Sequence, residues 1–193
     1  MATIRLFHYQ CDGTDDRGWG CVWRCAQMLL GSILSADAPV PTLRALMVDM
    51  GVDAADTRPA ARWIEPKQVR TIVRRWVGPS PAFDLVVYNP VPARMLHTAS
   101  RDFDRVHADR DSFHADVLCH LRSSAHPVVV DDGTYGYCII GVEEATACYV
   151  IADPHRTHRG TQIRRFPYTD FFAPGRMWMA LVTHLLPVSS QMP

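Results

Sequence analysis

Apolar side chains between residues 21 and 30 recur at the spacing of one helical face, directly after a polar segment that contains glycines. The apolar stripe consists of Val22, Cys25, Ala26, Leu29 and Leu30, which is close to the pattern of a buried helix. Gly18 and Gly20 lie directly before this stripe, and glycines interrupt a helix rather than continue it. The pattern therefore predicts a buried helix that starts at Cys21 and is entered from a tight glycine loop.

Other stretches of the chain show helical or strand-like patterning. The predicted helices cover 42–50, 65–77 and about 111–121, and the predicted strands cover 4–9, 83–88, 127–130, 137–142, 147–153 and 177–186. The segments 35–41, 52–61 and 89–111 are predicted to be loops. We therefore predict an α+β fold, in which helices led by the Cys21 helix pack on a largely antiparallel sheet. A single domain is expected to cover 1–193, with a frayed tail at 187–193.

Composition and charge restrict the class of protein. Of the 193 residues, 48% are hydrophobic and 21% are charged, and the formal net charge is +0. This balance gives no indication of a nucleic-acid or anionic-membrane partner. No apolar run approaches the roughly 20 residues of a membrane span, and the N-terminus lacks the pattern of a secretory signal. The six cysteines are expected to be reduced, so we predict a cytoplasmic protein without an intrinsic membrane segment.

Cys21 is a candidate nucleophile because of its predicted position at a helix N-terminus. The unpaired N–H groups and the helix dipole there favour an anion, so they are expected to lower the pKa of the thiol. A thiolate is a strong nucleophile. Gly18 and Gly20 leave room for a substrate backbone, and Trp19 between them is expected to border the path of the substrate to the thiol. On this local pattern alone, two interpretations of Cys21 remain open: a nucleophile, or an ordinary buried cysteine at the start of a helix.

The tripeptide Asp153-Pro154-His155, at the end of the predicted strand 147–153, supplies the partners that a nucleophilic thiol needs. Residues i and i+2 of an extended segment project to the same side, so Asp153 and His155 are expected to lie together. A carboxylate beside an imidazole selects its tautomer and stabilises the imidazolium. Together with Cys21, these residues favour a Cys–His–Asp protease. We predict no metal and no cofactor, because no group of candidate ligands has a recognisable spacing.

A wider set of motifs carries a resemblance to a known family. The motifs are Tyr9, Cys11-Asp12-Gly13, the run from Asp15 to Cys21, Arg24, Gln27, Arg62-Trp63-Ile64, 127–130, 139–142 and Asp153-Pro154-His155. In these motifs the chain resembles the ubiquitin-fold-modifier-specific cysteine proteases (UfSP), most closely their short, single-domain form. The expected architecture is papain-like in broad layout. The order Cys…Asp…His departs from the Cys…His…Asn of papain, which triad geometry permits.

The resemblance implies roles for particular residues and a substrate. Tyr9 would donate its hydroxyl to the oxyanion, alongside the backbone N–H of Cys21, which is chemically reasonable for a positioned phenol. The substrates would be the precursor of ubiquitin-fold modifier 1 and its isopeptide conjugates, cleaved after a C-terminal glycine. Gly18, Trp19 and Gly20 would form a narrow slot for that glycine-ended tail. The chain departs from the family at Asp131 and Asp132, where two glycines are usual, and this departure affects the turn rather than the triad.

Three alternatives are open. The autophagy cysteine proteases, which act on Atg8-like modifiers, share Gly-Trp-Gly-Cys and Asp-Pro-His, but they are longer and lack the lead-in from Tyr9 to Asp16. A non-catalytic modifier-binding module is disfavoured by the intact Cys21, Asp153, His155 and Tyr9. A different thiol enzyme, such as an acyltransferase, would use the same triad.

The remaining polar residues near Cys21 are predicted to be structural. Asp15, Asp16 and Arg17 are expected to stabilise the loop through local turns and pairing. Arg24 is expected to pair with an aspartate of that loop. Gln27 falls on the opposite side of the helix from Cys21 and is expected to be a buried hydrogen-bonding residue of the scaffold.

Overall fold

The computed structural model describes residues 4–53, 56, 58–90, 103–157, 161–173 and 175–183. The helices are α1 (Cys21–Ile33), α2 (Leu43–Asp49), α3 (Pro59–Arg62), α4 (Pro66–Val77), α5 (Arg110–Ser123) and α6 (Tyr168–Phe171). The strands are β1 (Phe83–Tyr88), β2 (Arg105–His107), β3 (Val128–Asp131), β4 (Gly136–Glu143), β5 (Cys148–Ala152), β6 (Ile163–Pro167) and β7 (Trp178–Thr183). A 3-10 helix (Glu144–Thr146) joins β4 to β5.

The strands of the described residues form one sheet in the order β2-β1-β7-β3-β4-β5-β6. Only the β1–β2 pair is parallel, and the other neighbours are antiparallel. The predicted α+β fold with a largely antiparallel sheet is therefore confirmed. From β3 to β6 the chain is a meander, and this meander brings 153–155 to the end of β5.

Alternate side chains of each central strand enter two separate cores, because successive residues of a strand face opposite sides of the sheet. In β3, Val129 belongs to the core that contains α1, α2 and α4. Val128 and Val130 belong to the core under α5 and α6. The sheet thus lies between two helical layers. By the same alternation, Asp131 at the end of β3 lies on the face that α1 covers.

Helix α1 is the central helix of the first layer. Its residues are buried from Cys21 to Gly31, as expected for a helix surrounded by other elements. It packs on α4, on α2 and on strands β3 and β4. Its start at Cys21 matches the prediction, and the N-cap is Gly20. The first turn of α1 is therefore placed directly over the β3–β4 hairpin.

The segment 4–8 forms no strand, so the prediction of a strand over 4–9 is wrong. Its polar atoms serve the far end of α1 instead. The Arg5 guanidinium donates to the carbonyl oxygens of Gly31 at 3.2 Å and Ala38 at 2.6 Å. These carbonyls belong to the last turn of α1 and to the loop that follows it. The segment therefore anchors the end of α1. The alternation of its apolar residues was a misleading signal, because it does not indicate a strand here.

Short or polar elements were also missed. Strand β6 lies in a segment for which the sequence predicted no strand, and it forms an edge of the sheet with alternately exposed side chains. Strand β2 and helix α3 occupy parts of 89–111 and 52–61, which were predicted to be loops. The segment 91–102 and the tail 184–193 lie outside the described residues.

Candidate active site

The loop before α1 is held on the helix by buried charges. Arg24 is fully buried and donates to Asp16 Oδ2 at 2.7 Å and to Asp12 Oδ1 at 2.9 Å. It also donates to Gln27 Oε1 at 2.9 Å, and Gln27 donates to the carbonyl of Pro41 at 2.8 Å. These contacts confirm the structural interpretation of Arg24 and Gln27. Because both aspartates precede Cys21, the pairing fixes where α1 begins.

The three predicted slot residues occupy different surroundings. Gly18 lines a cavity of about 690 Å³ together with Tyr9 and His155. Trp19 is almost fully buried and faces the neighbouring cavity, with the Arg62 guanidinium 5.0 Å from its ring centroid. At Gly20 a Cβ would lie 2.3 Å from Asp16 Oδ2. Gly20 is therefore required by the packing of the loop on α1, whereas Gly18 borders the cavity.

Asp153 and His155 lie together just after β5. His155 donates its backbone N–H to Asp153 Oδ1 at 3.0 Å, and His155 Nδ1 lies 2.8 Å from the same oxygen. A hydrogen bond from Arg156 N to the Asp153 carbonyl closes a turn here. The two side chains are thus brought together by a turn rather than by the extended backbone that was expected. With Nδ1 donating to the carboxylate, Nε2 is the nitrogen left to accept a proton.

The Asp153 carboxyl is ionised despite its burial. Its exposed fraction is 3%, and burial raises the pKa, but hydrogen bonds from His155 and Arg164 outweigh burial and lower the pKa overall. Arg164 Nη1 donates to Asp153 Oδ2 at 3.0 Å from strand β6. Both carboxylate oxygens therefore have partners, and the negative charge faces the imidazole.

Tyr9 connects the two halves of the site. Its backbone N–H donates to the carbonyl of Pro154 at 2.9 Å, and its ring meets the His155 ring edge-on, with centroids 5.2 Å apart. Its hydroxyl lies near the Cys21 thiol and acts to lower the pKa of that thiol. Burial, followed by the nearby Cys21, raises the pKa of Tyr9 above its usual value. The phenol is therefore neutral and keeps its proton available for donation.

The Cys21 thiol is buried, with an exposed fraction of 1%. Its pKa is raised to about 11, chiefly by burial and in part by the nearby Asp131 carboxyl. The N–H of Gly136, which donates to Sγ at 3.4 Å, the Tyr9 hydroxyl and the N–H of Val22 act in the opposite direction. The expectation of a lowered pKa at the helix N-terminus is wrong here, because desolvation exceeds these donors. The resting form is a neutral thiol.

Asp131 is the least expected group near Cys21. It is fully buried, its Oδ1 accepts the N–H of Gly133, and its Oδ2 has no hydrogen-bond partner among the described residues. Burial raises its pKa to about 7. Asp132, by contrast, pairs with Arg176 at 2.6 Å. The two adjacent carboxyl groups thus have different surroundings, because neighbouring residues of an extended segment face opposite sides. The expectation that their departure from the family affects the turn alone is wrong for Asp131, which raises the pKa of Cys21.

Two site residues were missed in the sequence. Gly136 is the first residue of β4 and pairs across the hairpin with Asp131. A Cβ there would lie 2.6 Å from Val22 Cγ2, so the close approach of β4 to α1 requires glycine. Tyr135 lines the cavity and is 47% exposed. The glycine between two aromatic residues was the available signal, but it did not indicate which helix would pack on it.

No helix of the described residues has both the length and the apolar character needed to cross a bilayer.

The chain is similar to known proteases over most of its length. A family model described as peptidase family C78 matches residues 1–169. The Ufm1-specific protease 1 of Mus musculus is 34% identical over 157 residues, which are 77% of this chain and 64% of that protein. The Ufm1-specific protease 2 of Gallus gallus is 28% identical over 167 residues, which are 80% of this chain and 32% of that protein.

A solved structure supports the same fold. The crystal structure of UfSP from C. elegans has a TM-score of 0.62 at 19% identity and covers 94% of this chain and 33% of its own. The chain thus spans about a third of that protein and of the Gallus gallus relative. Since the C78 model covers most of the sequence, this chain belongs to peptidase family C78.

Proposed function

We propose that this chain is a thiol protease that cleaves after the C-terminal glycine of ubiquitin-fold modifier 1, in precursors and in isopeptide conjugates. The observation that carries the proposal is that Tyr9 packs edge-on against His155 and lies near the Cys21 thiol, while His155 is hydrogen-bonded to Asp153. The substrate is supported by the relatives named Ufm1-specific protease. The six free thiols support a reducing, cytoplasmic location.

In the acylation step, Cys21 Sγ attacks the carbonyl carbon of the terminal glycine. Because the resting thiol is neutral, its proton passes to His155 Nε2 as the S–C bond forms. Asp153 stabilises the imidazolium through Nδ1. The C–N bond then breaks, and His155 protonates the leaving amine. The thioester that remains is hydrolysed by water, which His155 activates in the same way.

The oxyanion of each tetrahedral intermediate has two donors in this arrangement. One is the backbone N–H of Cys21, which as the first residue of α1 has no acceptor within the helix. The other is the Tyr9 hydroxyl, which lies near the Cys21 thiol and keeps its proton. Donors already in position stabilise the developing charge without reorganisation. The N–H of Gly136 stabilises the sulfur during proton transfer.

The proposal is tested with activity-based probes. Ubiquitin-fold modifier 1, an Atg8-like modifier and ubiquitin, each with a thiol-reactive C-terminus, are incubated with wild type and Cys21→Ala. Selective labelling by the first probe, lost in the variant, is the expected result. Labelling by the Atg8-like probe instead would assign the chain an autophagy-type substrate. Absence of labelling by all three would contradict a modifier protease.

Catalysis by Cys21 is tested separately with Cys21→Ser and a precursor substrate. Hydrolysis should fall by at least about 10³-fold, because a hydroxyl is a far weaker nucleophile without its own activation. Binding of the mature modifier should persist, as measured by calorimetry. Turnover near the wild-type rate would exclude Cys21 as the nucleophile.

A further inference from the structure

Arg164 connects strand β6 to the buried carboxylate of the site. In the pairing of β5 with β6, Arg164 stands opposite Ile151, two residues before Asp153. Diagonal neighbours on antiparallel strands are within reach of long side chains. Arg164 Nη1 accordingly donates to Asp153 Oδ2 at 3.0 Å. None of the catalytic steps proposed above involves this arginine.

The Arg164 guanidinium is held in place by a second contact. Its Cζ lies 4.4 Å from the centroid of the Phe166 ring, and a guanidinium over an aromatic ring is attracted by the ring electrons. The Arg164 side chain is 35% exposed. Arg156, which lies 3.8 Å from the same carboxylate oxygen, is 54% exposed. Arg164 is therefore the closer and less solvent-screened of these two cations.

The two oxygens of Asp153 have different partners. Oδ1 lies 2.8 Å from His155 Nδ1 and accepts the His155 N–H, while Oδ2 accepts from Arg164. A carboxylate with a cation on one oxygen attracts a second cation less strongly. Arg164 therefore weakens the hold of Asp153 on the protonated form of His155. The same bond fixes the orientation of the carboxylate that positions the imidazole.

The charge on His155 matters because the Cys21 thiol is neutral at rest. His155 must be neutral as well before it can accept the proton of Sγ. A buried carboxylate whose charge is not shared would favour the imidazolium and so remove the acceptor. By sharing that charge, Arg164 keeps the imidazole available as a base.

The other ionisable groups around the site come from three parts of the chain. The loop before α1 supplies Tyr9 and Asp16, the turn after β5 supplies Arg156, and the β3–β4 hairpin supplies Asp131, Asp132, Tyr135 and Tyr137. A substitution at position 164 leaves all of them in place. A displacement of the pH profile relative to wild type therefore reports on the arginine.

We propose that Arg164 is a positioning residue of the triad, which orients Asp153 and shares its charge so that His155 stays neutral until Cys21 transfers its proton. This inference rests on the proposed function and adds the group that sets the acid limb of its pH profile. Arg164 is not among the described residues that line the cavity. It acts through Asp153 rather than by contact with the substrate.

The test measures kcat and KM for a precursor of ubiquitin-fold modifier 1 between about pH 5 and 9. In Arg164→Gln, which keeps an amide donor and loses the charge, the acid limb of kcat/KM should move to higher pH by about half to one unit. Arg164→Ala should show the same displacement and a further loss of about tenfold in kcat at the optimum, because the imidazole is less well oriented. KM should change little in either variant, and Arg164→Lys should keep the limb at its wild-type position.

The matched control is Arg165→Ala. Arg165 is the next residue of β6, faces the other side of the sheet and pairs with Glu143 at 3.2 Å, so its removal should leave both the limb and kcat unchanged. A lower fraction of folded enzyme reduces kcat without moving the limb, so the position of the limb separates the proposed role from a merely structural one.

An acid limb that stays at its wild-type position in both Arg164→Gln and Arg164→Ala would overturn the inference and leave the protease assignment intact. A limb that moves as far in Arg164→Lys or in Arg165→Ala would overturn it as well, because the effect would then not depend on the charge beside Asp153. If wild type cleaves no precursor at any pH, the proposed function fails and the inference with it.

Discussion

The backbone N–H of Gly136 donates to Cys21 Sγ at 3.4 Å, although the two residues are 115 positions apart in the chain. One belongs to the start of β4 and the other to the start of α1. The contact depends on the absence of a side chain at 136, where a Cβ would lie 2.6 Å from Val22 Cγ2 and 3.3 Å from the Val22 nitrogen. The Cys21 thiol is therefore positioned by the sheet as well as by its own helix.

We predict that Gly136→Ala displaces the first turn of α1 from the sheet. The free energy of unfolding should fall by about 1–3 kcal/mol, as for other overpacked interiors, and the rate of precursor cleavage should fall at least about tenfold. Urea unfolding and steady-state kinetics measure the two effects. The matched control is Gly141→Ala in the same strand, where a Cβ meets no atom within 4 Å. Equal behaviour of the two variants would refute the packing argument.

Tyr9→Phe removes the hydroxyl that we propose as an oxyanion donor and keeps the ring that packs against His155. The expected result is a loss of about 10²-fold or more in kcat with little change in KM, as for other oxyanion donors. Circular dichroism and the binding of mature modifier should remain at wild-type values. A near-wild-type kcat would remove Tyr9 from the oxyanion site.

The raised pKa of Cys21, about 11, predicts the pH dependence of its alkylation. Only the thiolate reacts, so labelling of the Cys21 peptide by iodoacetamide should rise about tenfold per pH unit from pH 7 to 9. The exposed Cys119, read in the same digest by mass spectrometry, reports on the reagent. A rate that is already constant above pH 7 would mean a preformed thiolate and would contradict the buried-thiol description.

Asp131 should slow this alkylation, because its negative charge opposes that of the thiolate. Asp131→Asn removes the charge and keeps an oxygen for the N–H of Gly133, so labelling of Cys21 at pH 8 should become faster. With the pKa of Asp131 at about 7, the carboxyl is protonated at lower pH, and the difference from wild type should disappear as the pH falls below about 6. The control is Asp132→Asn, whose carboxylate is already paired with Arg176.

Arg24→Ala should be among the most destabilising changes near the site. It leaves the buried Asp16 carboxylate without its partner, and breaking a buried ion pair from one side costs about 3–5 kcal/mol. Thermal and urea unfolding measure the loss. Arg17→Ala, which breaks the exposed pair with Asp15, is the control and should leave stability almost unchanged. Comparable losses in both variants would show that burial does not decide the effect.

Several local features could be predicted because they depend on near neighbours in the chain. The start of α1 at Cys21 follows from the two glycines and the apolar stripe, and strand β1 (Phe83–Tyr88) follows from its alternation. The pairing of Arg24 with the preceding loop also involves residues a few positions apart. The wrong strand over 4–9 has the opposite cause, since Arg5 bonds the end of α1 and the described segment pairs with none of the strands of the sheet.

By itself, then, the sequence determined the α+β class, the helix that presents Cys21 and the pairing of Asp153 with His155. The class and the helix follow from side-chain periodicity along successive segments, and the pairing follows because the two residues are only two positions apart in the chain. The tertiary structure decided the protonation state of Cys21, the N–H that Gly136 supplies and the fully buried Asp131 near the thiol. The pKa of a buried group depends on how much water is removed and on which charges the fold places nearby. These quantities are properties of the packed sheet and helix together, so no local pattern contains them.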